Sequence, residues 1–224
     1  SHSLLQLAHA CQFVAECIQE GIMGKVYPAL DERLRKFIAR QSVFFVATAP
    51  CLNPDGTGGH VNVSPKGHRD TFAVLGPHRV AYVDLTGSGA ETIAHLRQNG
   101  QITIMFCSFD HETKIVRLYG RGTVVVPDSA HWDELAAHFP AEAGLGGVAR
   151  GTGRVNTRAI IDVQVDRIAD SCGYAVPVME LACEREVLTR WAEKKTPEEL
   201  AEYRIEKNAV SIDGLPALDP GMTR

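Results

Sequence analysis

Apolar residues along this chain gather in short runs that follow one another closely. Segments 43–49, 60–64, 71–75 and 80–85 are rich in β-branched and aromatic side chains and are separated by Gly, Pro, Asn and Asp, which predicts four strands in a meander rather than βαβ units. A helical period takes over at 89–98 and ends at Asn99-Gly100. The strand pattern returns at 101–106 and 115–126, with Asp110-His111-Glu112 as the connection between them. Pro127-Asp128-Ser129 opens a helix expected to run through His138, and 156–165 alternates as a strand that 168–176 extends or bends. Near the start, 30–38 places Asp31 and Glu32 ahead of Arg33, Arg35 and Lys36, a charge order that suits the dipole of an amphipathic helix. Two helices, 180–193 and 197–207, close the pattern, the second announced by Thr196-x-x-Glu199. They are expected to be appended to the body rather than to take part in its chemistry. The economical architecture is mainly β with peripheral helices, an antiparallel barrel, because closing a sheet removes its exposed edges.

Composition narrows the class. With 224 residues, 45% hydrophobic and 22% charged, the chain suits one soluble domain with decoration. A formal charge of -4 without a basic stripe speaks against general nucleic-acid binding, and no apolar run approaches the ~20 residues of a membrane span. Cys11, Cys17, Cys51, Cys107, Cys172 and Cys183 show no C-x-x-C spacing, and His60, His68 and His78 show no helical ligand spacing. Neither zinc nor a disulfide framework is expected, and a reducing cytoplasm is the expected home. Residues 1–22 carry Leu4, Leu5, Ala8, Cys11, Ala15 and Ile18 near one helical stripe but no Lys or Arg, so they do not read as a signal peptide. They are read as an extension or appended remnant ahead of Met23, or as an amphipathic helix on the body. The expected organisation is therefore extension 1–22, barrel domain 23–178 and helical appendage 179–224. The glycine-rich stretch 144–154, with Arg150 and Arg154, is expected to be a loop able to act as a lid.

The stretch most suggestive of chemistry is Ser88-Gly89-Ala90-Glu91-Thr92, where an apolar strand turns into a helix. Ser88 is a natural N-cap with Glu91 three residues on, and Gly87 and Gly89 let backbone approach a ligand, so the helix start reads as a phosphate seat. A capping box alone is the plainer alternative. The segment lacks the third glycine of a dinucleotide fingerprint and opens no βαβ unit, which argues against a Rossmann site. Strand alternation places Asn62, Ser64 and Lys66 on one face. Asp84 ends an otherwise apolar strand, either as a hydroxyl acceptor or as a turn former. A lone cysteine such as Cys172 is most often a small buried hydrophobe.

The order Asn62-Val63-Ser64-Pro65-Lys66-Gly67, Tyr82-Val83-Asp84-Leu85, Ser88-Gly89-Ala90-Glu91-Thr92, Asn99-Gly100 and Ile115-Val116-Arg117-Leu118-Tyr119-Gly120 resembles the flavin-binding split barrels of the pyridoxamine 5'-phosphate oxidase family, over roughly residues 30 to 175. The resemblance implies an antiparallel split β-barrel of the FMN-binding type. It also implies a homodimer with FMN in clefts at the interface, a small-molecule substrate and oxidoreductase activity. It places cofactor contacts at Asn62, Val63, Ser64, Pro65, Lys66, Val83, Asp84, Ser88, Gly89, Ala90 and Thr92, with Arg117 and Tyr174 as further candidates, Tyr174 from the second protomer. Arg117 reads equally as a surface strand residue with an acidic neighbour, and Tyr174 as interface packing. Two departures matter. Gly89-Ala90 stands where the family's oxidases carry a basic pair at the phosphate, so amides and hydroxyls are expected to do more of the holding, with Lys66, Arg117 or, from the second protomer, Arg150 or Arg154 as candidates for the charge. The Arg-Leu-His-Asp-Arg signature of true pyridoxamine phosphate oxidases is missing, as is their tyrosine and arginine followed by Pro and Ser. The alternatives in view are a flavin binder without turnover, and a split barrel holding heme or a deazaflavin coenzyme.

Overall fold

The computed structural model describes residues 24–52, 57–139 and 156–219. The extension 1–22 and the glycine-rich stretch with Arg150 and Arg154 lie outside the described residues. Eight strands form one sheet: β1 (Val26–Tyr27), β2 (Phe44–Thr48), β3 (Asn62–Lys66), β4 (Phe72–Gly76), β5 (Arg79–Leu85), β6 (Gln101–Cys107), β7 (Lys114–Val125) and β8 (Thr157–Cys172). The hydrogen-bonded order is β3-β2-β6-β7-β8-β5-β4, and β1 pairs with β8 beside the stretch that β5 leaves free. The pairings are antiparallel throughout.

The ladder ends at β3 on one side and β4 on the other, yet side chains from the two halves meet. Phe44 of β2 lies 5.1 Å from Phe72 of β4 and 5.5 Å from Tyr82 of β5, and Phe72 lies 5.0 Å from Phe106 of β6. Packing, not backbone pairing, therefore holds the seam of a split barrel. Val46, Ile104, Phe106, Val116, Leu118 and Ile161 fill its interior, the inward positions of strands whose outward neighbours alternate with them. The long pair β7–β8 carries a bulge between Tyr119 and Gly120. A Cβ at Gly120 would come within 2.1 Å of the Gln164 carbonyl, so the close approach needs glycine there.

Helix α1 (Glu32–Arg40) starts where the Asp31 carboxylate accepts from the Leu34 amide at 2.8 Å, and it buries Leu34, Phe37 and Ile38 on the barrel core. Helix α2 (Glu91–Asn99) ends at Gly100, which takes the left-handed conformation (φ 72°) that glycine allows. Helix α3 spans Trp132–Ala136, α4 spans Val187–Glu193, and α5 spans Pro197–Asn208. The Thr196 capping box at α5 is formed in both directions.

Several expected boundaries move. The third strand runs 62–66 rather than 60–64, and β8 is one continuous strand. The helix expected from Pro127 shortens to α3, because a turn at Val126–Ser129 and a positive φ at Asp128 delay its start. Residues 180–186 are not helical despite their composition; just ahead of them the Met179 amide donates to the Phe109 carbonyl. A short helix is marginal unless packing favours it, and these residues are exposed, with no buried face to favour one.

The Tyr82 hydroxyl is buried without a hydrogen-bond partner, a cost that removing it relieves. Tyr82→Phe is expected to raise the urea midpoint by the equivalent of about 1 kcal/mol, and Phe44→Ala to lower it by about 3–5 kcal/mol. A lowered midpoint for Tyr82→Phe would show that the hydroxyl is held after all.

Candidate functional site

The ends of β3 and β5 and the start of β8 converge on one buried carboxylate. Asp84 is fully buried; its Oδ1 accepts from Lys66 Nζ at 2.8 Å and its Oδ2 from Arg158 Nε at 2.7 Å. Burial pushes this carboxyl up, and the charges and hydrogen bonds of Arg158 and Lys66 more than reverse that, holding it down to about 2. Lys66 reaches Asp84 because alternation along β3 turns Asn62, Ser64 and Lys66 to the half-buried side and leaves Val63 and Pro65 exposed.

Behind Arg158 stands a second buried guanidinium. Arg204 of α5 donates from Nε to Thr86 Oγ1 at 3.0 Å and from Nη2 to the Thr157 carbonyl at 3.2 Å. Burial and the neighbouring charge of Arg158 lower its pKa to about 10, so it stays protonated at neutral pH. From the same helix, Asn208 Nδ2 donates to the Gly87 carbonyl at 2.8 Å, and the Thr86 amide donates to the Asn156 carbonyl at 2.7 Å. The turn from β5 into α2 is thus held from β8 and from the C-terminal helix together.

Above this cluster opens a cavity of about 1150 Å³, at the large end of ligand pockets. Lys66, Arg158, Gly87 and Gly89 contribute its polar wall, and Phe45, Val83, Leu85, Leu181, Leu188 and Trp191 an apolar one. The far wall is therefore built by the non-helical segment after β8 and by α4, the part expected to be a mere appendage. His68, at a positive φ of 64° just past β3, faces that segment with Nδ1 3.7 Å from a Glu184 carboxylate oxygen. Cys183 also lines the cavity and is a free thiol.

The candidate residues divide accordingly. Lys66, Pro65, Val83 and Gly89 line the cavity, and Asp84 lies beneath it between Lys66 and Arg158. Asn62 and Ser64 bond each other, and Asn62 Nδ2 donates to Thr92 Oγ1 at 3.1 Å, which joins β3 to α2. Ser88 is not the N-cap: α2 begins at Glu91 behind Ala90, with no side chain capping it. The C-terminal residues pack over that helix start, Ala217 and Leu218 against Ala90 and Ile93, and the Glu91 carboxylate accepts from the Ile212 amide rather than closing a box. Ser88 is left exposed.

The structure does not bring Arg117 or Tyr174 to the cavity of their own chain. Arg117 Nη1 donates to Ser171 Oγ at 3.0 Å across the β7–β8 ladder, and Tyr174 is 81% exposed. Arg158, Arg204 and Trp191 were missed by sequence reasoning. For Arg158 a signal existed, an arginine between Thr157 and the apolar run Ala159-Ile160-Ile161, where a charge inside a buried strand calls for a partner. Among the described residues, no cluster of His, Cys, Asp and Glu could hold a metal ion, and no helix is long and apolar enough to cross a membrane.

The family model described as pyridoxamine 5'-phosphate oxidase matches residues 30–172, which contain every barrel strand from β2 to β8. The chain belongs to the pyridoxamine 5'-phosphate oxidase family. It is 40% identical over 211 residues to the pyridoxamine 5'-phosphate oxidase family protein ustO of Aspergillus flavus, covering 88% of this chain and 78% of that one. Among solved structures it is similar to the heme storage protein HutZ of Vibrio cholerae, with 17% identity, a TM-score of 0.43 and coverage of 65% and 98% of the two chains. An FMN-binding protein of Syntrophomonas wolfei matches with 13% identity, a TM-score of 0.41 and coverage of 74% and 96%. At these similarities neither neighbour's ligand passes to this family member.

The depressed carboxyl of Asp84 gives the site a pH signature. Its pKa is about 2 folded against an ordinary 3.8, so the folded state takes up the proton less readily. The pairing stabilises fully above about pH 4 and is lost as pH falls through about 2, a contribution of about 2 kcal/mol. Asp84→Asn is expected to lower the urea midpoint at pH 7, with the gap to the wild type narrowing from pH 4 to pH 2. A gap that stays constant over that range would contradict the pairing.

Proposed function

We propose that this protein is an FMN-dependent oxidoreductase that works as a homodimer, with the flavin in the cavity above Asp84. The observation that carries this reading is the joining of two chemistries in one space. Cations and glycine backbone line the cavity together with aliphatic and aromatic side chains. FMN requires the same pair, a place for a phosphate and a place for a flat ring system. Bound FMN supplies hydride or electron-pair transfer, and the protein supplies position, electrostatics and shielding.

Lys66 is held by Asp84 in a fixed direction at the cavity wall and would meet the flavin without first being ordered. Val83 and Leu85 would back the ring system, and the 179–191 wall would keep water from it. Tyr174 and Arg117, both turned away from their own cavity, would serve the partner's in the homodimer. The missing Arg-Leu-His-Asp-Arg signature favours a substrate other than pyridoxamine phosphate.

The purified protein is expected to show the two-banded yellow spectrum of flavin, or to acquire it on adding FMN, and to elute as a dimer. A Soret band instead would assign the cavity to heme, and a colourless protein indifferent to FMN would remove the assignment. Lys66→Ala is expected to weaken FMN binding by several-fold to about a hundredfold, since a charge-assisted hydrogen bond contributes roughly 1.5–3 kcal/mol. Unchanged affinity by fluorescence titration would contradict the role given to Lys66.

A further inference from the structure

At about 1150 Å³ the cavity exceeds the roughly 300–1,000 Å³ usual for the pocket of one drug-sized ligand, so a flavin in it leaves space for a second molecule. The stretch 179–191 lines it with Met179, Leu181, Leu188 and Trp191. Of the charged side chains that this stretch adds, Glu180 and Arg185 cancel and Glu184 faces His68. Such a wall suits a molecule that is apolar over most of its surface and carries no net charge.

Trp191 is held before any ligand arrives. The Tyr203 ring meets it at 4.9 Å between centroids and 68° between planes, and Lys195 Nζ stands over it at 5.2 Å. An aromatic surface already fixed at a cavity wall suits a flat ring, because little side-chain freedom is lost when the ring binds.

His68 supplies a polar counterpart. Its backbone lies at φ 64° and ψ 104°, a conformation that glycine takes freely and a residue with a Cβ does not. The turn is clamped there, since the His68 carbonyl accepts from the Thr71 amide at 3.0 Å and from the Thr71 hydroxyl at 2.7 Å. The imidazole lines the cavity, and among the described residues no hydrogen bond reaches either ring nitrogen. Nδ1 stands 3.7 Å from a Glu184 carboxylate oxygen, an electrostatic contact too long for a hydrogen bond. The carboxylate draws the ring proton to Nδ1 and leaves Nε2 for a ligand. A hydroxyl suits Nε2 in either protonation state of the ring, because it can give or accept a hydrogen bond.

We infer that Trp191 and His68 form a second site in the cavity for an uncharged aromatic compound bearing a hydroxyl, its ring on Trp191 and its hydroxyl on His68, with Glu184 as the positioning residue for the imidazole. Beside the flavin, such a compound is the substrate. That role rests on the flavin reading above, whereas the site itself does not. The presence of histidine at a backbone position suited to glycine then has a chemical reason.

Calorimetric titration with para-ethylphenol and with its methyl ether, in flavin-free and in FMN-supplemented protein, tests this. The wild type is expected to bind the phenol roughly threefold to tenfold more tightly than the ether, as for one hydrogen bond between neutral groups. His68→Gly, which suits the backbone, is expected to abolish the preference and to keep ether affinity within about twofold. Glu184→Ala is expected to shrink the preference with the ether unchanged, a pattern that loss of the wall would not give, since that would weaken both probes. Trp191→Leu is expected to weaken both probes by roughly threefold to tenfold and keep their ratio; if it does not fold, His68→Gly carries the test. A wild type without preference, a preference that survives His68→Gly, or a folded Trp191→Leu variant that binds both probes as before would overturn the assignment. FMN that displaces the phenol would do so too, since the wall would then belong to the flavin alone. If the protein takes up no FMN yet shows the His68-dependent preference, the aromatic site stands and the flavin reading falls; FMN uptake without the preference gives the reverse.

Discussion

The buried carboxylate of Asp84 is the constraint around which the molecule is arranged. β3 and β5 stand far apart in the hydrogen-bonded order of the sheet, with β2, β6, β7 and β8 between them, yet Lys66 at the end of β3 reaches Asp84 on β5 across the unpaired seam. Arg158 then links the same carboxylate to β8. Removing a carboxylate from water is expensive unless it is paired and hydrogen-bonded, so the chain must bring both cations to it or leave it protonated. The aromatic contacts of Phe44 and Phe72 close the seam by area; the ion pairs close it by direction. A barrel left unzipped along one line needs both, because packing alone tolerates sliding while a two-sided ion pair fixes register.

That closure also explains where a cavity can exist. Beside the seam held by side chains, the Gly87–Gly89 turn lies next to the cations that close the barrel. Helix α5 presses Arg204 and Asn208 onto the turn, and the segment ahead of it supplies Leu181, Leu188 and Trp191 as a wall. The C-terminal part of the chain therefore builds the site from two sides, in physical contact with the barrel's functional edge.

Much of the barrel could be read from periodicity. The strands show it because their inward positions are apolar and their turns carry Gly, Pro, Asn or Asp, and Gly100 and the Thr196 box marked helix ends by local chemistry alone. What failed were inferences that local sequence does not determine. Ser88 had the composition of an N-cap, but packing of Ala217 and Leu218 on Ala90 set the helix start two residues later. Residues 180–186 had helical composition, but they are exposed and bury no face that would hold a helix. For the site, Lys66 and Asp84 were both singled out, whereas their union was not, since it joins residues 18 apart through a seam and a third partner 74 residues from Asp84. Arg158 and Arg204 become legible only when β8 and α5 are laid beside β5.

The most direct test of this account is a crystal structure of the protein grown with FMN. The account predicts the flavin in the cavity above Asp84, its ring system against Val83 and Leu85, with the Lys66–Asp84–Arg158 pairing intact. FMN bound elsewhere on the chain, or a Lys66–Asp84–Arg158 pairing broken in the complex, would contradict it.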